Sequence, residues 1–216
     1  MEQKQVDRDT YDFQRYSSSG RFVSYYHQLR CLLSRQPTSV LEAGVGDGVI
    51  GDYLRRTTTV AYKSLDVAED LRPDLLGSVL AIPLPDHSVD IACAFEVLEH
   101  LPFEKFEPAL REMARVARTH VIISLPHYGP AFKLAFKLPL LPAVSLAWKV
   151  PHPLPHHFDG QHYWEIGKRG YPPRRIRSIL QRIGTVEEEF IPYESQYHHF
   201  FCIRLAGGQA SSNNAV

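Results

Sequence analysis

The chain has 216 residues, of which 44% are hydrophobic, with 24 basic side chains balanced by 24 acidic ones. That is enough apolar material for one full core and too little for two, so a single domain is expected over residues 1–206, with no global positive field to draw nucleic acid. Cys31, Cys93 and Cys202 are odd in number and form no Cys-x-x-Cys pair, which excludes a disulfide framework and fits a reducing, cytoplasmic setting.

In chain order, the polar start MEQKQVDRDTYDFQRY lacks the apolar core of a secretory signal. Its residues Tyr11, Phe13, Arg15 and Tyr16 could close over a ligand as a lid, though aromatics before a helix are more often plain core contacts. Residues 22–33 carry apolar groups at helical spacing, and Pro37-Thr38-Ser39 then breaks into the strand Val40-Leu41. Residues 49–56 suit a helix, 60–65 a strand ending at Asp66, and 89–95 another strand. Phe106, Leu110, Met113 and Ala117 give residues 103–117 an amphipathic helical face, and HVIISL at 120–125 is a buried-strand run stopped by Pro126. Pro172 and Pro173 open a helix carrying Ile176, Ile179, Leu180 and Ile183, which Gly184 stops. Strand-like runs at 186–191 and 197–205 then read as a hairpin, and the tail 207–216 has no core-forming residue and is expected to be disordered. Repeated strand-helix units closed by paired strands call for an α/β fold: a Rossmann-like, doubly wound, seven-stranded and mostly parallel sheet with an antiparallel last strand.

The informative stretch is VLEAGVGDG at 40–48, a strand with an acid near its end and glycines at 44, 46 and 48 before a helix. Glycine tolerates positive φ and lets a ligand approach the backbone, while the helix start offers free N–H groups. Gly46, Gly48 and Gly51 also satisfy the dinucleotide fingerprint G-x-G-x-x-G, with Asp66 near the expected distance for a ribose-binding acid, so the loop alone leaves two cofactors open.

Further along, GSVLAIPLPDHSVD at 77–90 is followed by CAFEVLEHL at 93–101. In order and spacing, residues 39–125 resemble the class I S-adenosylmethionine-dependent methyltransferases, particularly the broad small-molecule group. The resemblance implies S-adenosylmethionine as cofactor and no nicotinamide. It also implies that Glu42, Gly44, Gly46 and Gly48 hold the methionine moiety, that Asp66 with Val67 takes the ribose hydroxyls, and that Ser78, Val79 and Leu80 contact adenine. Relatives often carry an acid where Ser78 stands, so adenine rests here on apolar contacts. Phe95 and Glu96 fall at the end of a strand bordering the cofactor crevice.

For chemistry, Glu96, Glu99 and His100 stand at i, i+3 and i+4, which would share one helix face. His100 is the best single candidate for a general base, its ordinary pKa near ~6.5 leaving a neutral imidazole at pH 7. The same three residues resemble the divalent-cation pattern of ubiquinone-biosynthesis O-methyltransferases, yet EVLEHL is widespread in relatives without metal, and no metal is expected. His152, His156, His157, His162, His198 and His199 lack the spacing of a structural zinc site.

Residues 126–170 form an insert of the kind that shapes an acceptor pocket. Within it the apolar stretch 131–150 is broken by Lys133, Lys137, Pro139, Pro142 and Lys149, which excludes a membrane span. Packing over the core is expected of it ahead of membrane-surface contact. The phrase GQHYWEIGKRGYPPRRI at 160–176 resembles enzymes of glycan or lipid-linked sugar pathways, so the acceptor is read as a small molecule or a glycan- or lipid-linked group. The alternative function is a non-catalytic module that uses the same fold to bind a partner.

Overall fold

The computed structural model describes residues 8–137, 139 and 144–207. The expected disordered tail lies almost wholly outside the described residues. Seven strands form one sheet in the order β3-β2-β1-β4-β5-β9-β8. These are β1 (Ser39–Ala43), β2 (Ala61–Asp66), β3 (Leu75–Leu76), β4 (Val89–Phe95), β5 (Ala117–Pro126), β8 (Thr185–Phe190) and β9 (His198–Arg204). The first five run parallel, and β9 enters antiparallel between β5 and β8. The paired C-terminal strands therefore form the expected hairpin, and the α/β class with one antiparallel element holds. Two further strands, β6 (Ala131–Phe136) and β7 (Val144–Lys149), form a separate hairpin inside the insert.

Alternation along the strands sends side chains to two cores. Val40, Ile91, Cys93, Ile122, Phe200 and Cys202 pack beneath α2 (Ser19–Leu33) and α3 (Val49–Thr57). Leu41, Ala92, Ala94, Val121, Ile123, Phe201 and Ile203 pack beneath α4 (Phe106–Val116) and α5 (Pro173–Leu180). A strand buried on both faces has no polar side to show, which is why β4 and β5 read as unbroken apolar runs. Ser18 starts α2 by accepting the Arg21 N–H at 3.2 Å, and a short α1 (Phe13–Tyr16) precedes it, capped by Asp12. Among the described residues no helix is long and apolar enough to cross a membrane.

The insert departs from expectation. Every described residue of β6 and β7 is exposed except Lys149, so the hairpin does not pack over the core. The reason is its pattern: apolar and small or polar residues alternate with a period of two, giving a strand pair with one apolar face rather than a segment apolar on all sides. The end of the insert does join the fold, through Trp164 and Ile166, both fully buried.

Candidate active site

The strand order reverses direction of travel between β1 and β4, and in an open α/β sheet ligands bind in the crevice outside the carboxyl ends at such a switch. The two loops leaving those ends are 44–48 and 96–101, the two that the sequence singled out.

In the first loop Gly44, Gly46 and Gly48 all have positive φ, at 85°, 57° and 78°. At Gly44 a Cβ would lie 2.3 Å from Val97 Cγ2, so this glycine joins the two loops. At Gly48 a Cβ would meet nothing within 4 Å, and at Gly46 only the Tyr11 ring at 3.9 Å. The backbone there borders open space that a ligand can share, the cradle expected of a cofactor loop. Gly51 has a different cause: a Cβ would lie 2.7 Å from the Tyr62 ring, so it serves packing of α3 on β2.

Asp66 ends β2 with both oxygens oriented by backbone amides, Oδ2 accepting from Val45 N at 2.9 Å and Oδ1 from Ala68 N at 2.8 Å. Each carboxylate oxygen keeps further acceptor capacity, so a diol could add to this arrangement. Glu42 is turned elsewhere. It is buried and accepts the Tyr62 hydroxyl, and burial pushes its pKa up to about 8. Its side chain braces β1 on β2 beneath the loop. Val67 is exposed; Ser78 Oγ accepts from Leu80 N at 3.0 Å, closing a turn that buries Val79 and half-buries Leu80. The Ser78 hydroxyl is thus occupied in shaping its own turn.

The second loop corrects the helix-face reading. Glu96 has φ 56° and lies ahead of a single 3₁₀ turn, Leu98–His100, so the i, i+3, i+4 geometry of an α-helix does not apply. Its Oε1 accepts from Ser124 Oγ at 2.8 Å, while Oε2 and both oxygens of Glu99 are buried with no hydrogen-bond partner among the described residues. Burial raises the proton affinity of both carboxyls, their mutual repulsion raises Glu99 further, and the Arg21 guanidinium partly offsets the effect. Two unsatisfied buried carboxyls are costly unless protonated or met by a group from outside.

Against this loop lies the end of the insert, which sequence spacing could not place. Tyr163 N donates to Glu99 O at 2.9 Å, His100 Nδ1 lies 3.1 Å from Gln161 O, and the His100 and His162 rings meet edge-on at 5.0 Å. His162 in turn pairs with Glu165 at 2.9 Å. Candidate ligand atoms of Glu99, His100 and His162 fall within 4.8 Å of one another, so the residues that could share a cation include His162 rather than Glu96. Burial and the neighbouring His162 lower the His100 pKa to about 4. Of the other histidines, His156 Nε2 lies 2.9 Å from the His162 carbonyl, whereas His199 stacks on His127 and bonds Glu189, and His198 bonds Ser195.

The N-terminal segment covers the crevice. Tyr11 packs edge-on to Tyr16 at 4.7 Å, and Arg21 lies over the Tyr16 ring at 4.3 Å. Burial chiefly raises the pKa of both tyrosines, with Tyr16, Asp66 and Asp47 adding to that of Tyr11 and Asp47, Glu96 and Glu99 to that of Tyr16, in keeping with Tyr11 beside Gly46 and Tyr16 near the carboxylates. Phe13 is exposed instead. Arg21, Glu165 and Tyr197 are residues near the carboxylates that the sequence reading missed, and Tyr16 and His162 were named there without a link to Glu96 and Glu99, because only the tertiary fold brings them together.

Comparison with known proteins agrees with this geometry. The profile of a family described as a methyltransferase domain matches residues 41–125. A probable S-adenosylmethionine-dependent methyltransferase of Mycolicibacterium smegmatis is 39% identical over 74 residues, which is 29% of this chain and 28% of that protein's length. Among solved structures, the Synechocystis magnesium protoporphyrin IX methyltransferase with bound S-adenosylhomocysteine gives a TM-score of 0.59 at 14% identity, over 94% of this chain and 90% of that one. The Burkholderia thailandensis 1,6-didemethyltoxoflavin-N1-methyltransferase gives 0.53 at 14% identity, over 86% of each chain. At such identities the structures speak for the fold alone. The glycine loop from Glu42 onward, the acid ending β2 and the loop after β4 all fall within the matched residues, so residues 41–125 are similar to a methyltransferase domain, and the chain spans 28% of the length of the curated relative it matches.

Proposed function

We propose that residues 1–206 act as one methyltransferase domain that binds S-adenosylmethionine outside β1, β2 and β4 and methylates a small-molecule or glycan- or lipid-linked acceptor. The observation that carries the reading is the pairing of an open glycine cradle with Asp66, whose carboxylate the Val45 and Ala68 amides hold in place. When bound, the cofactor supplies an electrophilic methyl group. Gly44, Gly46 and Gly48 admit its methionine end, Asp66 with Val67 accepts its ribose, and Ser78, Val79 and Leu80 flank its adenine. Phe95 and Glu96 border the methyl side, and residues 126–170 shape the acceptor side. Fixing the two reactants in line supplies much of the acceleration in such a transfer, so positioning is the chain's main contribution.

Isothermal titration with S-adenosylmethionine tests the reading directly. Saturable binding is expected, and Asp66→Ala should weaken it by about 2 kcal/mol, roughly thirtyfold, because a charged acceptor is lost from two hydroxyls. Wild-type affinity in the variant would remove Asp66 from the site, and no binding by the wild type would favour the non-catalytic alternative.

His100 is the proposed base where the acceptor is a hydroxyl. Its Nδ1 faces the Gln161 carbonyl and so carries the proton, which fixes the ring's tautomer and orientation. The lowered pKa keeps the ring neutral at pH 7 but makes it a weaker base than its ordinary value implied. Beside it, burial and the neighbouring Glu96 raise the proton affinity of Glu99. Once an acceptor is found, His100→Ala should lower turnover at least about tenfold with cofactor affinity unchanged, and a chelator should have no effect. Full turnover in the variant would leave positioning as the whole mechanism.

A further inference from the structure

We propose that the β6–β7 hairpin is a docking surface for an anionic lipid bilayer. Its register pairs Phe132 with Trp148, Leu134 with Leu146 and Phe136 with Val144, so six apolar side chains share one face, each 37% to 57% exposed. Phe132 and Trp148 stack at 5.9 Å at the base of that face. The opposite face pairs Ala131 with Lys149, Lys133 with Ala147 and Ala135 with Ser145.

Both lysines tie that second face to the rest of the protein. Lys133 donates to the Glu194 carbonyl at 3.0 Å and lies 5.5 Å from the Tyr193 ring centroid, and Lys149 donates to the His127 and Gly129 carbonyls. A hairpin held by its lysine face leaves the apolar face outward. An apolar face of this kind costs free energy in water unless something covers it.

Charge identifies the cover. No Asp or Glu occurs between Glu112 and Asp159, whereas Lys133, Lys137 and Lys149 all lie on or beside the hairpin. The surface therefore combines an apolar sheet face with a basic margin, exposed Lys137 beside it and the carbonyl-bound Lys133 and Lys149 behind it, and an anionic bilayer offers both complements, acyl chains for the first and phosphates for the second. Tryptophan and phenylalanine suit the boundary between them. The hairpin is a two-stranded sheet with no third strand among the described residues, so its edge amides need water. It must lie flat at headgroup depth and cannot cross the hydrocarbon, where unpaired backbone groups are not tolerated. The proposal stands on the hairpin and does not require methyl transfer.

Sedimentation of the full chain with vesicles tests it. Binding is expected to vesicles of equal parts phosphatidylcholine and phosphatidylglycerol, and binding at least about tenfold weaker to phosphatidylcholine alone. The triple variant Leu134→Ser, Leu146→Ser, Trp148→Ser should bind the mixed vesicles at least about tenfold more weakly while melting at the wild-type temperature. The chain has two tryptophans, and Trp164 is fully buried, so a blue shift of emission on adding vesicles reports Trp148. The proposal is overturned if the wild type stays in the supernatant or if the variant binds equally well. It is also overturned if ultracentrifugation finds a wild-type dimer that the variant abolishes, which would assign the face to a second copy of the chain.

Discussion

Trp164→Ala should destabilise the protein by about 3–5 kcal/mol and loosen the acceptor side of the site with it. Trp164 is fully buried at the end of the insert, with ring centroids 5.0 Å from Phe103, 4.9 Å from Phe106 and 5.9 Å from Tyr171. Its Nε1 donates to the Leu101 carbonyl at 3.1 Å. The substitution therefore opens a large cavity and leaves a buried carbonyl unpaired, two costs that add. Residues 161–165 carry His162, Tyr163 and Glu165 against Glu99 and His100, and Trp164 is their anchor. Urea unfolding should show a lower midpoint at unchanged slope. Trp164→Phe, which keeps most of the ring and loses the N–H, should fall between the two proteins. A loss below about 1 kcal/mol in the alanine variant would mean that the insert is held by other contacts.

That anchor marks the boundary of what the chain's own order reveals. The strands β4 and β5 are legible because burial on both faces forces apolar runs, and the glycine loop because positive φ at the alternate positions 44, 46 and 48 leaves little choice of residue. Glu96 was misplaced because a helical spacing was assumed across a residue with positive φ, and nothing in EVLEHL announces that conformation. His162 and Glu165 lie more than sixty residues from Glu99, so only a closed fold joins them. The hairpin did leave a sign. FKLAFK and VSLAWK alternate with a period of two, and weighing that period against the prolines would have yielded two strands with one apolar face.

Raising the pH from 6.5 to 8 should destabilise the ligand-free protein, and Glu42→Gln should remove about 1.4 kcal/mol of that loss for each pH unit crossed. Burial lifts the Glu42 carboxyl from its ordinary 4.5 to about 8, against an opposing contribution from the Tyr62 hydrogen bond. Between those two values the folded chain holds a proton that the unfolded chain has released. Its contribution is therefore fully present below 4.5 and is lost as the pH climbs toward 8. Glu96 and Glu99 shift in the same direction. Histidines act oppositely: burial lowers His100 and His198 to about 4 and His127 to about 3, so they weaken the fold only as the pH falls below their ordinary 6.5. The window above 6.5 thus leaves out the histidines, and Lys149, lowered to about 8 by burial, enters only at its upper end and in the opposite direction. Glutamine keeps an acceptor for the Tyr62 hydroxyl without a group to ionise, so the variant should match the wild type near pH 5 and exceed it at pH 8. Chemical denaturation at several pH values provides the comparison. Parallel curves for the two proteins would show that Glu42 is ionised throughout, and that a hydrogen bond from Tyr62 suffices to hold its charge beneath the glycine loop.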